Sequence, residues 1–223
     1  MNSKLLIEAL IKYIIGVVLV GALLFIPAGT FQWRNGWIFM AILFIPMFFA
    51  GIVMYLKAPD LLRSRLDNKE KEAEQKDVIS YSGIMFIAAF IIAGLNYRFK
   101  WTSLPDGVVW FGVIVFLLSY LMFAEVLREN QYLSRTVKVE EDQKVVDTGL
   151  YGIVRHPMYS ASTSLFLSMS LVLNSWISFL IMLVYIPLIM KRIRNEEKVL
   201  EEGLPGYKEY EKKVKYRMIP FIW

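Results

Sequence analysis

The chain has 223 residues, of which 57% are apolar and only 20% are charged. Globular proteins are about 45–50% apolar and about 25% charged, so this composition excludes an ordinary soluble domain and also a disordered chain. The net charge of +5 does not indicate nucleic-acid binding, because basic residues in a membrane protein first report its orientation.

Five stretches lack Asp, Glu, Lys and Arg, and together they hold 115 of the 223 residues. They cover residues 13–33, 36–56, 78–97, 107–124 and 156–190. A membrane-crossing helix needs about 20 apolar residues, so each of the first four stretches fits one span. The fifth has 35 residues. As one helix it would be roughly 52 Å long, against a hydrocarbon core of about 30 Å.

The fifth stretch therefore predicts a helical hairpin. Asn174 and Ser175 lie near its middle and are residue types that favour turns. We predict an all-α, polytopic integral membrane protein with about six transmembrane helices, the last two forming this C-terminal hairpin. Because its halves are short, a tilted or re-entrant pair remains an alternative.

Basic residues are distributed unevenly over the connecting segments. With the N-terminus inside, 22 of the 25 Lys and Arg residues lie on the inner side, and the outer side has only Arg34, Arg98 and Lys100. Lys and Arg favour the cytoplasmic side. The sequence therefore predicts a multi-pass protein with both termini in the cytoplasm, located in the cell membrane if the source is prokaryotic.

We divide the chain into two predicted regions. Residues 1–124 hold the first four membrane helices, with a mixed-charge cytoplasmic connector at 57–77 whose simplest interpretation is a solvated linker. Residues 125–223 hold a cytoplasmic linker, the hairpin and a charged C-terminal cap. The residues that can carry chemistry concentrate in this second region.

The composition also limits the kinds of site. There is no cysteine and only one histidine, His156, which excludes thiolate nucleophiles, iron–sulfur clusters and cysteine-based zinc sites, and we expect no metal. Neither the G-x-G-x-x-G nor the G-x-x-x-x-G-K-[ST] pattern occurs. Dinucleotide and phosphate sites of the soluble type are therefore excluded.

The densest polar group is TGLYGIVRHPMY at residues 148–159. Pro157 disfavours helix at His156 and is favoured as the first residue of a helix, so the hairpin should begin there. Free N–H groups at such a start attract an anion. Two interpretations remain open: a small pocket for a zwitterionic or aromatic ligand, and a basic turn with tyrosines at the membrane border.

A second group follows the fifth stretch. Arg192 and Glu196 are four residues apart and so share one helical face. They form either a simple i,i+4 ion pair or part of a site. Because the halves of a hairpin run antiparallel, Arg192 and Glu196 return to the membrane face from which Arg155 and Tyr159 depart. We expect both groups to face one site.

The motif Arg155-His156-Pro157-Met158-Tyr159 is followed about 40 residues later by Glu196-Glu197, and then by Tyr207, Tyr210 and Ile219-Pro220. This pattern resembles the isoprenylcysteine carboxyl methyltransferase family and the wider group of membrane phospholipid methyltransferases. Pro27-Ala28-Gly29-Thr30 and Pro59-Asp60-Leu61-Leu62 are similar to prokaryotic members. The resemblance spans nearly the whole chain, with its functional motifs in the last 90 residues.

The resemblance implies S-adenosyl-L-methionine as methyl donor, bound at the cytoplasmic side under the C-terminal cap, with S-adenosyl-L-homocysteine as product. By position it implies these cofactor-binding residues: Gln143, Lys144, Val145, Val146, Tyr151, His156, Pro157, Met158, Tyr159 and Glu196. It places Arg192 at the substrate, as the catalytic residue. The chain departs from the family at Gln143 or Lys144, where many members have histidine, and at residues 202–206, where the family has a Phe-Gly turn.

We therefore predict carboxyl O-methylation of a lipophilic, isoprenylcysteine-like acceptor that enters from the bilayer. A carboxylate is already ionised and needs no general base, and an arginine can hold it through a bidentate contact. Methylation of a phospholipid amine or a small thiol, and NADPH-dependent reduction of the sterol-reductase type, are the enzymatic alternatives. A membrane scaffold or transporter is the non-enzymatic one. No nucleic-acid partner is expected, and the oligomeric state is left open.

Overall fold

The computed structural model of the protein describes residues 3–66, 73–130, 132, 139 and 142–223. In this part of the chain all regular elements are helices, which confirms the all-α class. They are α1 (Ser3–Ala28), α2 (Arg34–Lys57), α3 (Pro59–Leu66), α4 (Ala73–Phe99), α5 (Asp106–Glu129), a 3₁₀ turn (Gly149–Gly152), α6 (Pro157–Val172), α7 (Trp176–Met182), α8 (Tyr185–Gly203) and α9 (Tyr207–Lys213). Of the predicted connector at 57–77, residues 67–72 lie outside the described residues.

Five described segments are long and apolar enough to cross a membrane. They are Ser3–Ala28, Arg34–Lys57, Val78–Phe99, Asp106–Glu129 and Trp176–Gly203. Their outer surfaces are apolar: Ile26 is 74% exposed and Leu121 is 67% exposed. Helices that are apolar on all sides are typical of a lipid environment. The chain is a polytopic membrane protein.

The predicted hairpin is present, although its first helix is short. α6 has 16 residues and is about 24 Å long, less than the hydrocarbon thickness of about 30 Å. It still reaches the far end of the bundle, where Asn35 Nδ2 donates to the Val172 carbonyl at 2.9 Å. The chain turns at Asn174, whose φ is 57°. Ser175 then caps α7 by accepting a hydrogen bond from Ser178 N.

The packing of α6 on α5 sets the relative levels of the two helices. Gly112 lies against Leu171, and a Cβ at position 112 would be only 2.7 Å from the Leu171 Cβ. Glycine is therefore needed there. The two helices are antiparallel and rise equally per residue. Fourteen residues from this contact, Pro157 of α6 is level with about Val126 of α5.

A proline explains the break between α7 and α8. Pro187 has no N–H to donate, and its ring clashes with the carbonyl four residues earlier, at Leu183. α7 ends at Met182 and α8 begins at Tyr185. α8 then continues beyond the bundle and carries Arg192 and Glu196 back to the start of α6.

The bundle has two ends, which we call the site face and the opposite face. The site face holds Glu129 and Pro157, and the opposite face holds Asn35 and Asn174. The first half of α1 lies at the site face, because Lys12 Nζ donates to the Leu66 carbonyl at 2.7 Å. Since α9 lies there as well, the two ends of the described chain share one face.

Candidate active site

A buried ionic cluster around Glu197 forms the centre of the site face. Glu197 is 2% exposed. Its Oε1 accepts hydrogen bonds from Arg155 Nε at 2.8 Å and Nη2 at 2.7 Å, and its Oε2 accepts from Arg217 Nε at 2.6 Å. His156 Nε2 lies 3.2 Å from Oε1. A buried carboxylate is tolerated only when it is paired in this way.

The C-terminal tail pairs with the residues that precede α6. Arg155 N donates to the Tyr216 carbonyl at 2.9 Å, and His156 N donates to the Arg217 carbonyl at 2.8 Å. Arg155 Nη1 also donates to the Val214 carbonyl. The predicted C-terminal cap is therefore present. The tail uses the two N–H groups just before Pro157, which are thus not left for an anion.

An open cleft of about 820 Å3 lies beside this cluster. Ten of the eleven predicted site residues line it: Gln143, Lys144, Val145, Val146, Tyr151, His156, Met158, Tyr159, Arg192 and Glu196. Pro157 does not line it, because it is buried in the first turn of α6. The other lining residues are Asn130, Tyr132, Arg155, Leu200, Leu204, Tyr207 and Tyr210. The structure brings the predicted residues together, and their binding roles remain predictions.

Tyr159 connects Arg192 to Glu196 in the cleft. Arg192 Nε donates to the Tyr159 hydroxyl at 2.9 Å, and that hydroxyl donates to Glu196 Oε2. Arg192 and Glu196 are half-buried and Tyr159 is 5% exposed. His156 Nδ1 is 3.9 Å from Glu196 Oε1. The alternative of an exposed ion pair is therefore wrong.

Tyr151 and Tyr210 fix the linker wall of the cleft. Asn130 Nδ2 donates to the Tyr151 hydroxyl at 3.0 Å, and the Tyr210 hydroxyl donates to the Tyr151 carbonyl at 2.7 Å. Burial raises the pKa of both phenols, which keeps them neutral. Gly149 has a φ of 48° and packs directly against the Glu129 carboxylate. A side chain at position 149 would both clash and strain the backbone.

The Tyr207 hydroxyl has no hydrogen-bond partner among the described residues. Tyr207 lines the cleft and is 4% exposed. Burial, followed by the negative charges of Glu197 and Glu196, raises the pKa of this phenol, so it remains a donor. An unsatisfied buried hydroxyl costs about 1–3 kcal/mol. A ligand with an acceptor atom would remove that cost.

Residues 108–205 match the family model described as phospholipid methyltransferase. A comparison with curated proteins finds no match. The matched segment begins in α5 and ends just after α8, so it contains the whole Arg155–Tyr159 motif and both Arg192 and Glu196. Residues 108–205 are a membrane methyltransferase domain. This domain falls within the group of isoprenylcysteine and phospholipid methyltransferases that the motifs resemble.

Several residues of the methyltransferase site were not assigned from the sequence. Glu197 is the clearest case, and it had a usable signal. Ile189, Ile193 and Glu197 are spaced by four and are all buried on one face of α8. A carboxylate in such an apolar register requires a buried cation. Tyr207 had a weaker signal, since its spacing of three from Tyr210 places both on one face of α9.

Proposed function

We propose that this membrane methyltransferase transfers the methyl group of S-adenosyl-L-methionine to the carboxylate of a lipophilic acceptor that reaches the cleft from the bilayer. The observation that carries the proposal is the chain Arg192–Tyr159–Glu196 in the cleft wall. It places a fixed positive charge and a carboxylate on either side of one buried phenol. A site of this kind has one end for a cationic ligand group and another for an anionic one.

The residues of the cleft fit the methyl donor. Pockets of about 300–1,000 Å3 hold ligands of this size, and the cleft measures about 820 Å3. Its apolar wall is suited to an adenine ring and is formed by Val145, Val146, Leu200 and Leu204. Glu196 would accept hydrogen bonds from the donor's ammonium, and Tyr207 would donate to one of its acceptor atoms.

When bound, S-adenosyl-L-methionine supplies a methyl group on a positively charged sulfur, which a nucleophile displaces in line. The protein's own part is to position the acceptor and to exclude water. Arg192 lies two residues beyond the end of the uncharged stretch, at the border of the membrane. There its guanidinium would bind an acceptor carboxylate whose apolar part stays in lipid.

The surroundings of His156 favour a carboxylate acceptor. Its two ring nitrogens face carboxylates, Nε2 at 3.2 Å from Glu197 and Nδ1 at 3.9 Å from Glu196. His156 therefore holds these side chains in place. A carboxylate acceptor needs no proton removed, so the reaction does not require this histidine as a base.

Methylation of a phospholipid amine is the second candidate, because the matching family model carries that description. The two reactions give different products. Purified protein is incubated with labelled S-adenosyl-L-methionine and either phosphatidylethanolamine vesicles or a farnesylated thioether carboxylic acid. A methyl ester releases labelled methanol in mild base, whereas an N-methyl group does not. Label that stays in base-stable phospholipid would contradict carboxyl methylation.

S-adenosyl-L-homocysteine should bind the detergent-solubilised protein and raise its melting temperature, and NADPH should not. The shift follows from binding to the folded state alone. Tyr207→Phe should weaken this binding about 2- to 10-fold, which corresponds to one lost hydrogen bond of about 0.5–1.5 kcal/mol. Tyr97→Phe is the matched control, because the Tyr97 hydroxyl bonds to Gln32 at the opposite face. A shift with NADPH alone would favour the reductase alternative.

The site face should lie in the cytoplasm, where S-adenosyl-L-methionine is made. The asymmetry of basic residues is the physical reason. Reporter fusions after Trp223 and within the loop at Ser103 should therefore report opposite compartments, with Trp223 inside. An external Trp223 would separate the cleft from its proposed cofactor and would overturn this orientation.

A further inference from the structure

Residues 219–222 form an exposed apolar loop at the site face. Phe221 is 86% exposed and Ile222 is 76% exposed. The loop is closed because Met218 N and Ile219 N both donate to the main-chain oxygen of Trp223, at 2.9 and 3.0 Å. Its apolar tip thus stands away from the protein interior while its base is held firmly.

The conformation of Phe221 does not suit its residue type. Its φ is 65°, which lies in the left-handed region that favours glycine or asparagine. The ring contacts Tyr216, with centroids 5.4 Å apart, but is otherwise outside the core. Neither the turn nor the protein interior accounts for an aromatic residue at this position.

The base of the loop is anchored along α6. Met218 is 3% exposed. The Ser160 hydroxyl donates to the Met218 carbonyl at 2.6 Å, and Thr163 Oγ1 lies 3.7 Å from the Met218 sulfur. The tail therefore runs from the start of α6 toward the middle of the bundle for about two helical turns.

The register of α5 and α6 places this contact inside the apolar layer. Thr163 is eight residues from Leu171, and Tyr120 is eight residues from Gly112, which faces Leu171. Because both helices rise equally per residue, Thr163 is level with about Tyr120. Tyr120 precedes Glu125, the first charged residue toward that end of α5. Met218 thus lies at a depth occupied by lipid outside the bundle.

The loop lies between this depth and the bundle end. Tyr216, which Phe221 contacts, pairs with Arg155 just before α6 begins, so the loop sits where acyl chains meet headgroups. Arg217 Cζ lies 5.4 Å from the Trp223 ring, an arginine–tryptophan contact suited to this border. Three exposed cations precede the loop and match anionic headgroups: Lys212, Lys213 and Lys215.

We propose that residues 219–222 insert into the lipid layer at the site face and anchor the C-terminal cap to the membrane. The cap supplies Tyr207 and Tyr210 to the cleft and Arg217 to the Glu197 cluster. Insertion therefore stabilises the closed wall of the cleft from outside. The proposal does not depend on which ligand the cleft binds.

The absence of cysteine allows a direct test. Phe221→Cys and Lys208→Cys are each labelled with an environment-sensitive fluorophore and reconstituted into phosphatidylcholine–phosphatidylglycerol vesicles. Lys208 is an exposed residue of α9 and serves as the matched control. We expect the label at 221 to emit at shorter wavelength, to be quenched by lipids carrying a shallow nitroxide, and to resist aqueous iodide. The label at 208 should behave in the opposite way.

A second measurement tests the consequence for the cap. Phe221→Asp combined with Ile222→Asp removes no core packing, so the melting temperature in detergent should be unchanged. In vesicles, the double variant should be cleaved by trypsin at Lys212 and Lys213 several-fold faster than the unmodified protein. Equal cleavage rates would overturn the anchoring role. Iodide quenching at 221 as strong as at 208 would overturn insertion, and so would protection from iodide without nitroxide quenching, which would indicate a second copy of the chain.

Discussion

Glu197→Ala is expected to lower the free energy of unfolding by about 3–5 kcal/mol, the usual cost of removing one partner of a buried ion pair. The carboxylate accepts hydrogen bonds from Arg155 and Arg217 and lies beside His156. The Arg155 side chain is only 7% exposed, so its charge would be left buried without its main partner. Thermal unfolding in detergent should show the loss as a melting temperature lower by about 10 °C.

Glu201→Ala is the control for this prediction, since Glu201 is exposed on the same helix. Its effect should be within about 0.5 kcal/mol. Glu197→Gln keeps the size of the side chain and removes the charge, so its effect should lie between the two. A melting temperature of Glu197→Ala within 2 °C of the unmodified protein would show that the cluster does not hold the cap.

Arg192→Ala is expected to lower kcat/KM about 100-fold, or about 2.7 kcal/mol of transition-state stabilisation. The proposal assigns its guanidinium to the acceptor, so the affinity for S-adenosyl-L-homocysteine should stay close to that of the unmodified protein. Arg192→Lys should recover little activity if the contact is bidentate, because an ammonium cannot form it. Methyl transfer and cofactor affinity are measured on the same preparations.

Glu196→Ala should give the complementary result and weaken S-adenosyl-L-homocysteine binding, with little change in stability. Arg194→Ala is the matched control, since Arg194 is exposed on the same helix, and its activity should be unchanged. Tyr159→Phe tests the connection between the two residues, because Tyr159 contacts both. Full activity of Arg192→Ala would remove Arg192 from the site. Equal loss of cofactor affinity in both alanine variants would show that they act as one structural unit.

The sequence by itself determined the membrane class, the hairpin and the convergence of two distant motifs. Charge-free stretches of 18 residues or more specify helices in lipid, because every backbone polar group must be satisfied within the segment. Pro157 set the start of α6 through its fixed φ, and Asn174 set the turn. These signals are local. The return of Arg192 and Glu196 to His156 then followed from the antiparallel path of a short hairpin.

The tertiary structure alone decided how these side chains divide the work. Glu196 and Glu197 are adjacent in sequence, yet one lines the cleft and the other is buried with Arg155, 42 residues away. The rotation of α8 about its axis makes this choice, and it depends on how Ile189 and Ile193 pack in the core. The path of the tail past Arg155 was equally hidden from the sequence. Main-chain pairing leaves no pattern of residue types, because every residue except proline offers the same donor and acceptor.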